Sequence, residues 1–230
     1  MKNTANNDPT ARYRAGIDLL AEFMLPERYA TLCRAADSRT HYMTVLAENI
    51  FHDQNAAALM RHCEAFGVQR LHTVETVCPF EPNPTITRGT EQWVDLVRHA
   101  STTEAIGSLK AAGYRIVATT PHREDATPET FDVARGPFAL VFGTEHAGIS
   151  DEAVAQADEF LRIPMCGMVE SLNVSASAAI LIYQLAARMR DTVPAWQLDE
   201  AARAELLYRW MCRSVKDAEA ILTRKLGVIV

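Results

Sequence analysis

Three short segments of the chain combine polar side chains, glycines and apolar runs in patterns that could serve chemistry. We call residues 55–67 segment one, residues 140–149 segment two and residues 163–175 segment three. In segment three, an apolar strand ends at Ile163 and the chain then passes Gly167, where the missing side chain permits close backbone approach. A helix follows, and either Ser171 or Asn173 can cap it. A polar loop between a buried strand and a buried helix predicts a ligand-binding surface, with an ordinary capped connection as the alternative.

Segments one and two add ionisable side chains. Arg61 lies in a helix predicted for residues 56–66, for which Asn55 is a natural N-cap. Taken alone, Arg61 is typical of a surface arginine paired with Glu64 at i+3 spacing. Glu145 follows the apolar run of segment two, near a strand end, and taken alone is typical of a solvated loop acid. Spacing by itself therefore leaves the role of both charged groups open.

The elements around these segments alternate between strands and helices, which predicts a parallel α/β sheet with ligands at the carboxyl ends of the strands. The loops after residues 142 and 163 are therefore the expected places for a site. Residues 78–90 hold three prolines and a glycine and predict an irregular loop without a regular element. Two helices broken near residue 25 precede the first strand. The predicted strands are residues 44–47, 71–77, 93–97, 114–119, 138–142 and a last one ending at 163.

Composition excludes several classes of protein. A chain of 230 residues, 48% hydrophobic and 23% charged, predicts a globular protein with one main domain and helical extensions. It lacks an apolar run long enough to cross a bilayer and an apolar signal core, so we expect a cytoplasmic protein without a membrane partner. Five scattered cysteines without a C-x-x-C pair favour neither a disulfide framework nor a zinc site. Neither a G-x-G-x-x-G nor a G-K-[ST] loop occurs, which argues against an ordinary dinucleotide or phosphate-loop fold.

The net charge of −6 argues against a nucleic-acid partner, because phosphate binding usually leaves a basic footprint. Basic residues are nevertheless concentrated partly at the two ends of the chain. Near the C-terminus three of them follow i, i+4, i+7 spacing and predict a cationic stripe on a helix. A solvated face with pairs such as Glu205 and Arg209 is the equal alternative. The basic residues in question are Arg12, Arg14, Arg209, Arg213 and Lys216.

In order and spacing, the three segments together resemble the three signature motifs of the SpoU family of RNA 2'-O-methyltransferases, part of the SPOUT class. The resemblance runs from about Leu19 to Lys225 and is strongest to the tRNA guanosine-2'-O-methyltransferase branch. It implies an α/β fold, with a mostly parallel sheet flanked by helices and a C-terminal deep trefoil knot. It also implies a knotted domain at 41–190 between helical extensions at 1–40 and 191–230.

The same resemblance implies S-adenosylmethionine as the cofactor, tRNA as the substrate with a D-loop guanosine as the target, no metal, and a homodimer formed through the knot region. Arg61 matches the catalytic arginine of the family. Since a guanidinium is normally never deprotonated, we expect it to stabilise a developing alkoxide rather than act as a literal base. His146 is expected to be a bystander.

Further site residues are carried over by position. The other catalytic positions are Asn55, Glu145, Ser171 and Asn173. The cofactor-binding positions are Thr119, Gly143, Ile163, Gly167 and Leu172. The terminal basic residues named above are the expected RNA contacts, because helices at both ends help to bind tRNA in the family.

The chain also departs from the family pattern. Asp53 and Gln54 stand where Pro-His is frequent, and Gln92 stands where a basic residue is common. These departures predict weakened RNA contacts or a changed choice of RNA. Ribosomal RNA methylation is therefore one alternative, and an RNA-binding protein of the same fold without turnover is another. A third, an unrelated small-molecule α/β enzyme, requires the three motifs to coincide by chance.

Overall fold

The computed structural model of the protein describes residues 9–123, 125–145 and 147–227. The chain divides into two compact units. The larger, Thr40–Trp196, contains the sheet, and the other is formed by Met1–Arg39 and Gln197–Val230. Among the residues described, we find no helix with both the length and the apolar character needed to cross a membrane. All three segments lie in the larger unit.

The larger unit is built on a six-stranded sheet in which every neighbouring pair of strands is parallel. The strand order is β3-β2-β1-β5-β4-β6, so the topology reverses between the adjacent strands β1 and β5. The predicted parallel α/β sheet is therefore confirmed, and its switch point is where ligands of such sheets bind. The strands are β1 (Met43–Glu48), β2 (Arg70–Val74), β3 (Asp95–His99), β4 (Arg115–Thr119), β5 (Phe138–Phe142) and β6 (Glu159–Leu161).

Among the described residues, five α-helices belong to the larger unit and cover both faces of the sheet. The central strands β1 and β5 are buried along their whole length, as apolar runs in parallel sheets usually are. Successive residues of β1 point to opposite faces: Val45 joins the core cluster beneath α3 and α7, and Leu46 joins the cluster beneath α5 and α6. These helices are α3 (Asp53–Ala65), α4 (Pro84–Thr87), α5 (Thr102–Ala111), α6 (Asp151–Gln156) and α7 (Val174–Thr192).

Several local predictions were wrong. Strand β2 ends at Val74 rather than at residue 77, and β3 begins at Asp95 rather than at residue 93. The helix of segment one begins at Asp53 with His52 as its N-cap residue, so Asn55 lies inside the first turn and does not cap it. The stretch 78–90 contains the short helix α4, because Asn83 caps it and proline fits its first position. The last strand ends at Leu161 rather than Ile163, since Leu161 already pairs with Thr119, the final residue of β4.

In the part of the smaller unit that the structure describes there are four helices, and the predicted break near residue 25 is confirmed. In this unit α1 packs on α8, with the rings of Tyr13 and Tyr208 5.4 Å apart. A Cβ at Gly16 would lie 2.3 Å from the Tyr208 ring, so this close approach needs a glycine. The helices are α1 (Pro9–Ala21), α2 (Pro26–Asp37), α8 (Glu200–Ser214) and α9 (Ala218–Leu226).

The predicted stripe of three C-terminal cations does not lie on one helix. Helix α8 ends at Ser214, and Lys216 falls in the turn before α9, where Asp217 adopts a left-handed conformation. The alternative interpretation, a helix face with ion pairs, is confirmed for Arg209, whose Nε lies 3.9 Å from Oε1 of Glu205. At the other end of the chain, Arg14 pairs with Glu200 in the same unit.

A buried histidine pair joins β2 to β3. The rings of His72 and His99 are stacked, and Nδ1 of His72 lies 2.9 Å from Nε2 of His99. Burial lowers the pKa of His72 to about 4, with further lowering by the charges of His99, Arg70 and His41. The native state therefore holds His72 neutral at a pH where the unfolded chain binds a proton.

We expect this histidine to make folding stability depend on pH. Because the folded pKa is depressed below about 6.5, stability is complete above that pH and is lost as the pH falls towards about 4. Between pH 7 and pH 5 the loss from this group is about 2 kcal/mol. Urea unfolding of the wild type and His72→Asn at both pH values should give a shallower dependence for the variant. Equal slopes would contradict the assignment.

Candidate functional site

A cleft of about 470 Å³ opens at the carboxyl ends of β4, β5 and β6. Its walls come from the loops that follow these strands and from the start of α7, so segments two and three both face it. Two of the predicted catalytic residues and four of the predicted cofactor-binding residues line it. These are Glu145, Ser171, Thr119, Gly143, Ile163 and Leu172. Gly167 lies instead on an adjoining pocket of about 350 Å³.

The loop after β5 folds back on itself so tightly that it needs a glycine. The amide of Thr144 donates to the carbonyl of Gly148 at 2.8 Å, and the amide of Gly148 donates back at 3.0 Å. A Cβ at Gly143 would lie 2.1 Å from the carbonyl carbon of Gly148 and 2.2 Å from the amide nitrogen of Ile149. The backbone of this loop therefore forms a cleft wall that leaves no space for a side chain at Gly143. His146 lies outside the described residues.

A buried carboxylate that sequence reasoning missed holds this loop in place. Glu48 ends β1 and is 2% exposed. Its carboxylate accepts the amide of Ser150 at 2.8 Å and the hydroxyl of Ser150 at 2.6 Å, and it also accepts the hydroxyl of Thr102. Buried carboxylates are rare unless paired in this way. The sequence does contain one signal for this role, an acidic residue at the end of a mostly apolar strand.

Glu145 joins segment two to segment one. Its carboxylate accepts a hydrogen bond from Nδ2 of Asn55 at 2.7 Å, and from the amides of Phe51 and His52 at 3.1 Å each. Partial burial acts to raise the pKa of Glu145, but the bonds from Asn55 and the backbone amides outweigh it and lower the pKa below its usual value. The group is therefore an ionised carboxylate that fixes the start of α3 against the loop after β5.

We expect Glu145→Gln to loosen this junction. The replacement amide presents N–H donors where the native carboxylate faces only donors, so at least one of the three bonds is lost. The expected cost is about 1–2 kcal/mol of unfolding free energy. Chemical denaturation should show it, with Glu91→Gln at an exposed carboxylate as the matched control. A midpoint equal to that of the control would contradict the role of Glu145 as a clamp.

Arg61 is exposed on α3 and contacts the short helix α4. Its Nη1 donates to the carbonyl of Ile86 at 2.7 Å. The remaining N–H groups of the guanidinium have no hydrogen-bond partner among the residues that the structure describes. His62, the next residue, has its pKa lowered by burial and, to a lesser degree, by the charge of Arg61. Arg61 can therefore offer several donors to an oxygen-rich ligand.

Segment three enters its helix as predicted through Asn173, not through Ser171. The Asn173 side chain accepts the amides of Ser175 at 2.7 Å and Ala176 at 3.4 Å, which caps α7. The prediction of a wholly buried helix was wrong, because α7 buries only one face. Ile180 and Tyr183 on its other face are 36% and 59% exposed.

The structure thus brings some of the predicted residues together and leaves others apart. Asn55 bonds directly to Glu145, and Glu145 shares the cleft with Ser171. Arg61 and Asn173 are not among the cleft-lining residues. Within the described residues, no cluster of three or more His, Cys, Asp or Glu side chains could hold a metal ion.

Comparison with known proteins agrees with this geometry. The sequence model of the SpoU rRNA Methylase family matches residues 42–183. The tRNA (guanosine(18)-2'-O)-methyltransferase of Borreliella burgdorferi is 34% identical over 205 residues, which are 89% of this chain and 94% of that protein. The chain belongs to the SpoU family. Its matched range contains all three segments and every strand of the sheet.

Solved structures resemble this SpoU protein over most of its length. The crystal structure of the A. aeolicus TrmH/SpoU tRNA modifying enzyme has a TM-score of 0.72 and 29% identity, and the match covers 82% of this chain and 97% of that one. The SpoU methyltransferase AviRb from Streptomyces viridochromogenes, in complex with the cofactor AdoMet, has a TM-score of 0.59 and 24% identity. That match covers 66% of this chain and 62% of AviRb, and it shows a shared fold.

Proposed function

We propose that this SpoU protein transfers a methyl group from S-adenosylmethionine to the 2'-oxygen of a guanosine in the D-loop of tRNA. The observation that carries the proposal is the junction of Glu145 with Asn55, which ties segment one to the edge of a cleft walled by segments two and three. Relatives at 31–39% identity are named tRNA (guanosine(18)-2'-O)-methyltransferases. The protein is therefore an RNA-modifying enzyme of that class.

The cleft fits the cofactor in size and in chemistry. Its volume of about 470 Å³ lies within the range of roughly 300–1,000 Å³ typical of small-molecule sites. At Gly143 the backbone of the loop after β5 packs so closely against Gly148 that a side chain would not fit. Ile163 and Leu172 add apolar side chains to the lining of the cleft. We assign Thr119, Gly143, Ile163 and Leu172 to holding S-adenosylmethionine, with Gly167 on the adjoining pocket. When bound, the cofactor supplies an electrophilic methyl group on a sulfonium.

Arg61 is proposed to meet the ribose oxygen that receives the methyl group. A ribose hydroxyl becomes a strong nucleophile only as it loses its proton, and negative charge then develops on the oxygen. A guanidinium is not deprotonated in proteins, so Arg61 stabilises this charge by donating hydrogen bonds. Those N–H groups of Arg61 that have no partner among the described residues are suited to that task.

The other catalytic positions are proposed to orient rather than to react. Glu145 and Asn55 fix the start of α3, the helix that carries Arg61. Ser171 lies on the cleft wall, and Asn173 sets the direction of the chain between that wall and α7. Positioning of this kind raises the rate by fixing the approach of the two reactants.

We also propose a knot, a homodimer, a domain division with tRNA contacts, and a cellular location for this protein. The strand order β1-β5-β4-β6 supports a deep trefoil knot within 140–190, because the chain returns inward from β4 to β5 and then outward to β6. The exposed face of α7 supports a homodimer formed through that region. The proposed domain boundaries lie near residues 40 and 190, and the proposed tRNA contacts are Arg12, Arg14, Arg209, Arg213 and Lys216. A cytoplasmic location follows from the tRNA substrate.

Ribosomal RNA methylation is the second candidate, favoured by the description of the matching family and by a relative that is a 23S rRNA methyltransferase, 40% identical over 81 residues. Transfer of labelled methyl groups to RNA transcripts distinguishes the two. We expect label on a tRNA transcript, and no label after the D-loop guanosine at position 18 is replaced by adenosine. Label on ribosomal RNA fragments alone would overturn the tRNA assignment.

A further inference from the structure

We propose that Asn83 is the positioning residue for Arg61, acting through the peptide group between Ile86 and Thr87 and anchored by Asp53. The inference rests on the proposed function, because it assigns Asn83 to the arginine that meets the ribose oxygen. Asn83 belongs to none of the three segments and lies in a stretch that the sequence predicts to be an irregular loop.

The first link joins α3 to the segment that carries Asn83. Nδ2 of Asn83 donates to Oδ2 of Asp53 at 2.9 Å, and the backbone amide of Asn83 donates to the carbonyl of Asp53 at 3.4 Å. Asp53 is the first residue of α3 and is one of the positions at which the chain departs from the family pattern. This link fixes Asn83 at the beginning of the helix that carries Arg61.

The second link fixes α4 to Asn83. The Oδ1 of Asn83 accepts the amide of Thr85 at 3.0 Å and the hydroxyl of Thr85 at 2.6 Å, which caps the short helix. The carbonyl of Asn83 accepts the amides of Ile86 at 3.0 Å and Thr87 at 2.9 Å. Thr87 is buried, so the far end of α4 is anchored too.

The third link reaches Arg61. The amide of Thr87 and the carbonyl of Ile86 belong to one planar peptide group, so the bond from Thr87 to Asn83 sets the direction of that carbonyl. The same carbonyl accepts Nη1 of Arg61 at 2.7 Å. Asp53 and Arg61 lie about 12 Å apart along α3, so α4 is bound to this helix at two distant points. One guanidinium N–H is fixed in direction, and because the group is planar the other donors keep set angles to that bond, which restricts where they can point.

The test measures methyl transfer by the full-length protein at saturating tRNA while the concentration of S-adenosylmethionine is varied. Asn83→Ala should lower kcat by about 10- to 100-fold, while the KM for S-adenosylmethionine stays within about twofold. Asn83→Asp keeps the acceptor that caps α4 but sets a second carboxylate against Asp53, so it should also lower kcat. The exchanged pair Asp53→Asn with Asn83→Asp restores one donor and one acceptor, and kcat should return to within about threefold of wild type.

Glu81→Gln, an exposed change in the same stretch, is the matched control and should leave kcat unchanged. Wild-type kcat in Asn83→Ala would overturn the inference and leave the proposed function standing. Failure of the exchanged pair to recover kcat, or an equal loss of S-adenosylmethionine affinity in Asn83→Ala, would also overturn it. A wild-type protein that methylates no RNA would overturn both.

Discussion

Arg61→Ala should lower kcat for tRNA methylation by about 10²–10³-fold while leaving the affinity for S-adenosylmethionine unchanged. The guanidinium is not among the residues that line the cofactor cleft, so its removal leaves that cleft intact. The loss falls on the reaction, because donors aimed at a developing oxyanion stabilise charge that exists only in the transition state. Single-turnover methylation measures the rate, and calorimetry measures cofactor affinity.

Two matched variants sharpen this experiment. Arg61→Lys keeps the positive charge but loses the planar fork of donors, and it should recover only part of the lost rate. Arg34→Ala, an arginine on α2 that contacts Thr31, should behave as wild type. A kcat within a few-fold of wild type in Arg61→Ala would remove the arginine from the mechanism.

Gly143→Ala should strongly weaken the binding of S-adenosylmethionine. The added Cβ would lie 2.1 Å from backbone atoms of Gly148, and backbone cannot rotate away as a flexible side chain can. The loop after β5 must therefore shift, and the cleft wall that it forms shifts with it. We expect affinity to fall by at least about 100-fold, which corresponds to about 3 kcal/mol. Isothermal titration calorimetry gives the value directly.

Gly107→Ala is the control for the same chemical change. Gly107 lies in α5, and a Cβ at this position meets no atom within 4 Å. Alanine should stabilise the protein there by roughly 0.5–1 kcal/mol, because glycine is the poorer helix former. Cofactor affinity in Gly107→Ala should equal that of wild type. Normal binding by Gly143→Ala would show that the loop after β5 does not form the cofactor wall.

The sequence predicts the sheet well because hydrophobic runs and alternation of elements are local signals. The strand β5 was predicted at its observed residues, and α5 closes at Gly113, which adopts a left-handed conformation as a helix-ending glycine often does. Strand order and register are set by contacts far apart in the chain. The end of β6 shows this: it is fixed by pairing with Thr119, which residues near Ile163 cannot reveal.

The site was predicted less completely for the same reason. Asn55 is a residue type that often caps helices, yet its side-chain amide donates a hydrogen bond to Glu145, 90 positions away in the chain. Glu48 and Asn83 belong to no sequence motif, and their roles depend on hydrogen-bond partners that only folding brings close to them. Resemblance located the three segments, whereas the hydrogen bonds between them are visible only in the structure.

Mass spectrometry of nucleosides tests the central claim most directly. The protein is incubated with unmodified tRNA and methyl-labelled S-adenosylmethionine, and the RNA is then digested to nucleosides. We predict label in guanosine methylated on its ribose oxygen, at an initial rate about 10²–10³-fold lower when Arg61→Ala replaces the wild type. Label on a guanine base, or no labelled nucleoside although calorimetry shows bound cofactor, would contradict the account.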